Sequence, residues 1–219
     1  MNVHPYHSLE YVIISLLFFA GSSDLWEENV EGEWERKRRT FEHYDRLASI
    51  YDSLYGEEQS IKIGLALRNV KVGCDDLLLD IGCGTGILME FVASMIKHYV
   101  GLDLADKTLK VAAERSRCLR VKSKVSLIRA DADYLPFRDD SFSIIFALTL
   151  LQNIPEPNRT LTEILRVAKD KSQIVITGLK KSFTRKEFNE LICNIWKDHI
   201  FLEAPGSKDF IAVIKVKDK

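Results

Sequence analysis

The sequence predicts an α/β protein: a doubly wound, mixed sheet of about seven strands that ends in a C-terminal antiparallel hairpin. Two observations carry most of that prediction. From residue 77 onwards, short continuous apolar runs alternate with stretches of three- and four-residue periodicity, the pattern of buried parallel strands joined by helices. The first of these runs leads straight into Gly82-Cys83-Gly84-Thr85-Gly86, a turn placed where open α/β sheets carry their sites. A third observation, two apolar runs either side of Pro205-Gly206-Ser207, supplies the hairpin that makes the sheet mixed.

Taken in order, residues 1–39 read as an N-terminal extension and residues 40–219 as the domain proper. The apolar run Leu9 to Gly21 is shorter than the about 20 residues a membrane span needs, carries Glu10, and is followed by Asp24, Glu27 and Glu28. The first eight residues hold no Lys or Arg, unlike a secretory signal. The run therefore reads as a packed or loosely docked helix, with a poorly structured extension or a membrane-associated segment as alternatives, and no stable membrane insertion is expected. Asp24 to Glu35 and the basic run Arg36 to Arg39 read as a polar connection. From Thr40, the spacing of Phe41, Tyr44, Leu47, Ala48 and Tyr51 predicts a helix, and a second is expected over Glu57 to Asn69. Strands follow at Leu77 to Ile81, Tyr99 to Leu102, Val125 to Arg129, Phe142 to Ala147 and Gln173 to Thr177. Helices are expected at Ile87 to Ile96, Ala105 to Arg117, Asn158 to Val167 and Thr184 to Trp196, the last opening on a Thr184/Glu187 capping box. The hairpin strands are Ile200 to Ala204 and Phe210 to Val216.

Charge and cysteines narrow the function. Thirty-one Lys and Arg against 32 Asp and Glu argue against a surface built throughout for polyanions, though a local basic patch remains open. Cys74, Cys83, Cys118 and Cys193 form no C-x-x-C pair and have no histidine at ligand spacing, so neither a metal site nor a disulfide framework is expected, and a reducing, cytoplasmic setting is.

The glycine turn carries the chemistry. Three glycines at alternate positions after a buried strand let backbone approach a ligand closely. A dinucleotide fingerprint needs glycine where Ile87 stands, and a P-loop needs Gly-Lys-Ser/Thr, which is absent. Asp80 before the turn would repel a pyrophosphate but suits a cation. The expected ligand is thus an adenine nucleoside without phosphates and with positive charge. Asp103, at the end of the next strand, is placed to accept both hydroxyls of a ribose. Asp131, just past the third strand, could meet the adenine edge with its neighbouring backbone N–H; Asp133 could do the same or cap a turn.

Together, D-I-G-C-G-T-G, G-L-D and A-D-A-D-x-L-P-F-x-D-D-S-F resemble the class I S-adenosylmethionine-dependent methyltransferases, particularly the branch of ubiquinone and menaquinone C-methyltransferases, over about residues 44–176. The resemblance implies a Rossmann-like fold, a methyltransferase activity and S-adenosyl-L-methionine as cofactor. It places Asp80, Gly82, Cys83, Gly84 and Gly86 around the methionine part, Asp103 and Leu104 at the ribose, Asp131 with Ala132 at the adenine, and Leu148 facing the methyl donor. The stretch from Tyr44 to Tyr51 is similar to that branch's lid helix, or is equally an amphipathic core helix.

After the fourth strand there is neither Asn/Asp-Pro-Pro-aromatic nor Pro-Cys, which leaves Gln152 and Asn153 to orient a substrate, a helix-start role for Asn153 being equally open. Sulfonium methyl transfer asks mainly for alignment, and no general base stands out. Only Gly178 to Phe183 separates the fifth strand from the next helix, so an open site is expected, suited to tRNA, rRNA or protein; a quinone-precursor-like small molecule and a nonenzymatic cofactor-binding subunit are the alternatives. Lys180, Lys181, Arg185 and Lys186, with the Arg36 to Arg39 run, could touch phosphates. Several compact methyltransferases of tRNA, ribosomal RNA and release factors, which this chain resembles in size, require a small zinc-binding activator subunit. The resemblance implies that it would pair with the edge at Lys124 to Arg129, through Val125 and Leu127.

Overall fold

The computed structural model describes residues 25–203 and 206–217. Helices α1 (Leu25–Leu47) and α2 (Tyr51–Leu67) precede β1 (Leu77–Ile81), α3 (Ile87–Val92), β2 (His98–Asp103), α4 (Asp106–Cys118) and β3 (Val125–Arg129). The chain continues through β4 (Phe142–Ala147), α5 (Pro157–Val167), β5 (Ala168–Leu179), α6 (Arg185–Cys193), β6 (Ile200–Leu202) and β7 (Asp209–Lys215). The sheet order is β3-β2-β1-β4-β5-β7-β6. β1 to β5 pair in parallel, and β7 lies antiparallel to both β5 and β6. The expected Rossmann-like mixed sheet and terminal hairpin are both present.

The sheet is covered on both faces, as the unbroken apolar strands require. One face packs Leu79, Ile145, Ile174 and Ala212 against Leu161 and Ile164 of α5 and Phe188 of α6. The other packs Leu78, Ile144, Val175 and Val213 against Ile63 and Ala66 of α2 and Met89 of α3. Because the chain runs outwards from β1 through β2 to β3 and then returns to β4, the crevice at the carboxyl ends of β1 and β4 is the switch point. The Thr184/Glu187 capping box is formed. β5 begins five residues before Gln173, because Ala168 pairs with Phe142 before an irregularity at Lys169 to Ser172; those polar residues hid it from a reading of apolar runs.

The larger difference lies at the N-terminal side. Residues 25–39 are not a connection: α1 is continuous from Leu25 to Leu47, so the 39/40 boundary falls within a helix. The Tyr44-to-Tyr51 stretch straddles the α1–α2 junction instead of forming one lid helix. The apolar run Leu9 to Gly21 and residue Pro205 lie outside the described residues. Among the described residues no helix is long and apolar enough to cross a membrane.

Candidate active site

The turn after β1 is set by backbone hydrogen bonds. Gly82 N and Cys83 N both donate to Leu102 O, at 2.7 and 3.0 Å, and Gly86 N donates to Cys83 O at 2.8 Å. These bonds fasten the turn to the end of β2. Two of its glycines serve different ends. At Gly84 (φ 53°) a Cβ would meet nothing within 4 Å, so the absent side chain is open pocket. At Gly86 (φ 77°) a Cβ would stand 3.1 Å from Met89 Cε and 3.2 Å from Ala112 Cβ, so that glycine lets α3 and α4 close on the turn and packs away from the pocket.

Two acids flank the turn. Asp103 accepts from Gly84 N and from Ala105 N, each at 2.8 Å. Burial raises its pKa, against the lowering effect of those backbone donors. Asp80 is buried and accepts the Tyr99 hydroxyl at 2.5 Å; burial pushes its pKa up to about 7 despite that bond. Cys83 is buried beside Gly101, and burial holds its thiol pKa well above the ordinary value.

A pocket with about 770 Å³ of empty space, partly open to solvent, lies over this turn. Its floor is Gly82, Gly84, Asp103, Leu104 and Ala132, and its far wall is Leu148 with the segment to Ile154. Asp80 and Cys83 line an adjoining recess shared with Tyr51, Gly84 and Leu148. α1 forms the roof through Lys37, Thr40, Phe41 and Tyr44, and Tyr51 closes one end. Tyr44 accepts from Asn153 Nδ2 at 3.1 Å, Tyr51 accepts from Gln59 Nε2 at 3.2 Å, and the two rings are 6.0 Å apart. Burial raises the pKa of both phenols, so each stays protonated at neutral pH.

The comparisons with known proteins fit this geometry. A family model described as a methyltransferase domain matches residues 79–176. The chain is 30% identical over 141 residues to the demethylmenaquinone methyltransferase of Lactobacillus johnsonii, covering 63% of this chain and 57% of that one. It is 29% identical over 147 residues to the malonyl-[acyl-carrier protein] O-methyltransferase of a Marinomonas strain, covering 66% and 53%. Residues 79–176 therefore match a methyltransferase domain. The chain thus spans between half and two thirds of the length of these curated relatives. Among solved structures, a methyltransferase in complex with the Trm112 methyltransferase activator of Haloferax volcanii superposes with a TM-score of 0.64 at 17% identity, covering 80% of this chain and 97% of that one.

The methyltransferase domain does not leave Asp131 free at the pocket. Lys37 Nζ donates to Asp131 Oδ2 at 2.8 Å and to Asp133 Oδ2 at 2.5 Å, and Glu33, one turn earlier, lies 2.9 Å from Arg159. Burial alone would lower the Lys37 pKa, but the two carboxylates outweigh it and raise it. Asp133 also accepts from Thr160, so its carboxylate joins α1 to α5. A further clasp holds the α2 side: Thr85 Oγ1 donates to Asp52 at 2.6 Å, and Arg115 reaches both Asp52 and the Thr85 carbonyl.

Part of the roof and of the far wall is not legible in the sequence. Lys37 reads only as part of the Arg36 to Arg39 run, and Thr40 and Phe41 only as the start of a helix, because residues 25–39 show no apolar stripe that announces a buried face. Thr149 was missed as well: it adopts φ 53°, its N donates to Thr177 Oγ1 at 2.7 Å, and its hydroxyl oxygen accepts from Lys62 at 2.8 Å and Gln59 at 3.2 Å. Lys62 is fully buried in an ion pair with Asp209 of β7, which fixes α2 to the sheet. Gln152 and Asn153 do face the pocket region. Both donate to the Thr149 carbonyl, at 2.5 and 3.0 Å, but Gln152 Oε1 is buried with no hydrogen-bond partner. A second, open cleft adjoins the first and shares Thr40, Tyr44, Asn153 and Ile154 with it.

Proposed function

We propose that this chain is an S-adenosylmethionine-dependent methyltransferase whose acceptor is a small molecule rather than RNA or protein. The observation that carries the reading is the pairing of Gly84 with Asp103: a residue without a side chain, open to the pocket, beside a buried carboxylate at the sheet's switch point. The site's donor set fits the cofactor. Asp103 and Leu104 hold the ribose, Ala132 with Asp131 borders the adenine, and Gly82, Gly84, Cys83 and Asp80 enclose the methionine end. When bound, the sulfonium supplies an electrophilic methyl carbon that passes to the acceptor and leaves a neutral thioether.

The chain's own residues orient and enclose. Tyr44 and Asn153 stand between the cofactor pocket and the open cleft, Leu148 and Leu150 keep water from the methyl position, and Tyr51 closes the methionine end. Neither tyrosine serves as a base, since burial keeps both protonated. One of the curated relatives is named for demethylmenaquinone and the other for a malonyl group on acyl-carrier protein, and the first supports a small acceptor. α1 supports it too, by roofing the pocket through Lys37, Thr40, Phe41 and Tyr44. Labelled methyl transfer into a cell extract tests the reading. Label in the small-molecule fraction, lost with Gly84→Arg, is expected; label confined to RNA or protein would reject it.

A partner is proposed at the opposite edge. β3 is an outer strand with half-buried Val125 and Leu127, and the Haloferax neighbour is held by an activator. A zinc-binding activator of that kind would cover this strand edge. Co-expression should yield a complex that Val125→Asp disrupts; no co-purification would reject it.

A further inference from the structure

The open cleft beyond Tyr44 has a composition that the chain as a whole does not. It is lined by Arg36, Arg39, His43 and Gln152 together with the shared wall, and among the described residues no carboxylate lines it. On the same helix Lys37 and Arg38 are ion-paired, whereas Arg36 and Arg39 are exposed and pair with no described residue. Arg36, Arg39 and His43 follow one another at three- and four-residue spacing, so they form one stripe along α1. Gln152 adds a second requirement. Its Nε2 is spent on the Thr149 carbonyl, which leaves the buried Oε1 as an acceptor without a donor.

We infer that this cleft is the acceptor site, and that the acceptor is a small molecule bearing a carboxylate or phosphate held by Arg36 and Arg39 and a hydroxyl or N–H that donates to Gln152. This rests on the methyltransferase reading and adds the acceptor's chemical class to it. Guanidinium groups grip such oxyanions through paired N–H bonds. The shared wall of Thr40, Tyr44, Asn153 and Ile154 places a ligand of this cleft next to the cofactor pocket. The nucleophile's lone pair takes the methyl group past Tyr44 and Asn153. Its proton, where it has one, leaves to solvent, to which the cleft is open. Since no carboxylate among the described residues lines the cleft, an acceptor that ionises readily suits the site best.

The test is a titration of 4-hydroxybenzoate, its methyl ester and phenyl phosphate into the full chain saturated with S-adenosylhomocysteine. At least one anion should bind at least tenfold more tightly than the ester. The Arg36→Ala/Arg39→Ala protein should lose that preference while its S-adenosylhomocysteine affinity stays within twofold of wild type. Gln152→Ala should weaken acid and ester alike. The inference is overturned if no anion binds, if acid and ester bind equally, or if the double variant keeps the preference. Binding of a transfer RNA in their place, lost in the double variant, would overturn it in favour of an RNA acceptor. Failure of S-adenosylhomocysteine to bind the folded wild type would instead remove the underlying methyltransferase reading.

Discussion

Tyr99 donates its hydroxyl to Asp80 across 2.5 Å, and both side chains are buried where β1 meets the glycine turn. Burial raises the Asp80 pKa to about 7, well above the about 3.9 of an unfolded aspartate. Between those values the native protein holds a proton that the unfolded chain has released, so stability falls as pH rises across this window and levels off above about 7. Asp80→Asn should remove that slope and stabilise the fold at pH 8 by about 1–3 kcal/mol. It should also weaken S-adenosylhomocysteine binding at least tenfold. Urea unfolding at pH 5 and pH 8 checks the first point and calorimetry the second. A less stable variant at pH 8 would contradict the account.

The wild-type affinity for S-adenosylhomocysteine should itself rise with pH up to about 7, as the Asp80 carboxylate ionises and attracts the ligand's ammonium group. Calorimetry between pH 5.5 and 8 reads this. An affinity independent of pH would detach Asp80 from the ligand.

Gly84 and Gly86 should separate binding from folding. Gly84→Ala adds a methyl group to open pocket at φ 53°, costing about 1 kcal/mol of stability but a large part of the ligand affinity. Gly86→Ala should cost about 2–4 kcal/mol, because strain at φ 77° adds to contact with Met89 and Ala112. Thermal melts with and without S-adenosylhomocysteine distinguish the two. Equal melting losses at both positions would refute the separation.

Lys37→Met should leave Asp133, which has no exposed side-chain surface, without its nearest cation, and destabilise the protein by about 2–4 kcal/mol. Adding Asp133→Asn should recover a good part of that loss, which a urea double-mutant cycle measures. Additive losses would show that the pair does not anchor α1.

The same residues explain what the sequence could and could not reveal. β1 and β4 were legible to the residue because strands buried on both faces read as mostly apolar runs, and β3 was equally legible although it lies at the sheet edge. The glycine turn, Asp80 and Asp103 were legible because their chemistry is local to the strand ends. The first part of α1 was not: residues 25–39 are held by Lys37 on Asp131 and Asp133 and by Glu33 on Arg159, partners some 90 to 130 positions away that leave no hydrophobic period. The short Gly178 to Phe183 segment led to the expectation of an open site and a macromolecular acceptor, because the roof that α1 supplies was not legible. The roof and the acceptor cleft are tertiary products of that one helix.

The central claim is that the pocket beneath α1 holds S-adenosylmethionine through Asp103 and the open Gly84 position. Calorimetric titration of S-adenosylhomocysteine into the wild type, Asp103→Ala and Gly84→Arg tests it most directly. The account predicts one saturable site per chain in the wild type, at least a hundredfold loss with Asp103→Ala, no detectable binding with Gly84→Arg, and weaker binding of NAD than of S-adenosylhomocysteine. No binding to the folded wild type, or an Asp103→Ala titration identical to it, would contradict the claim.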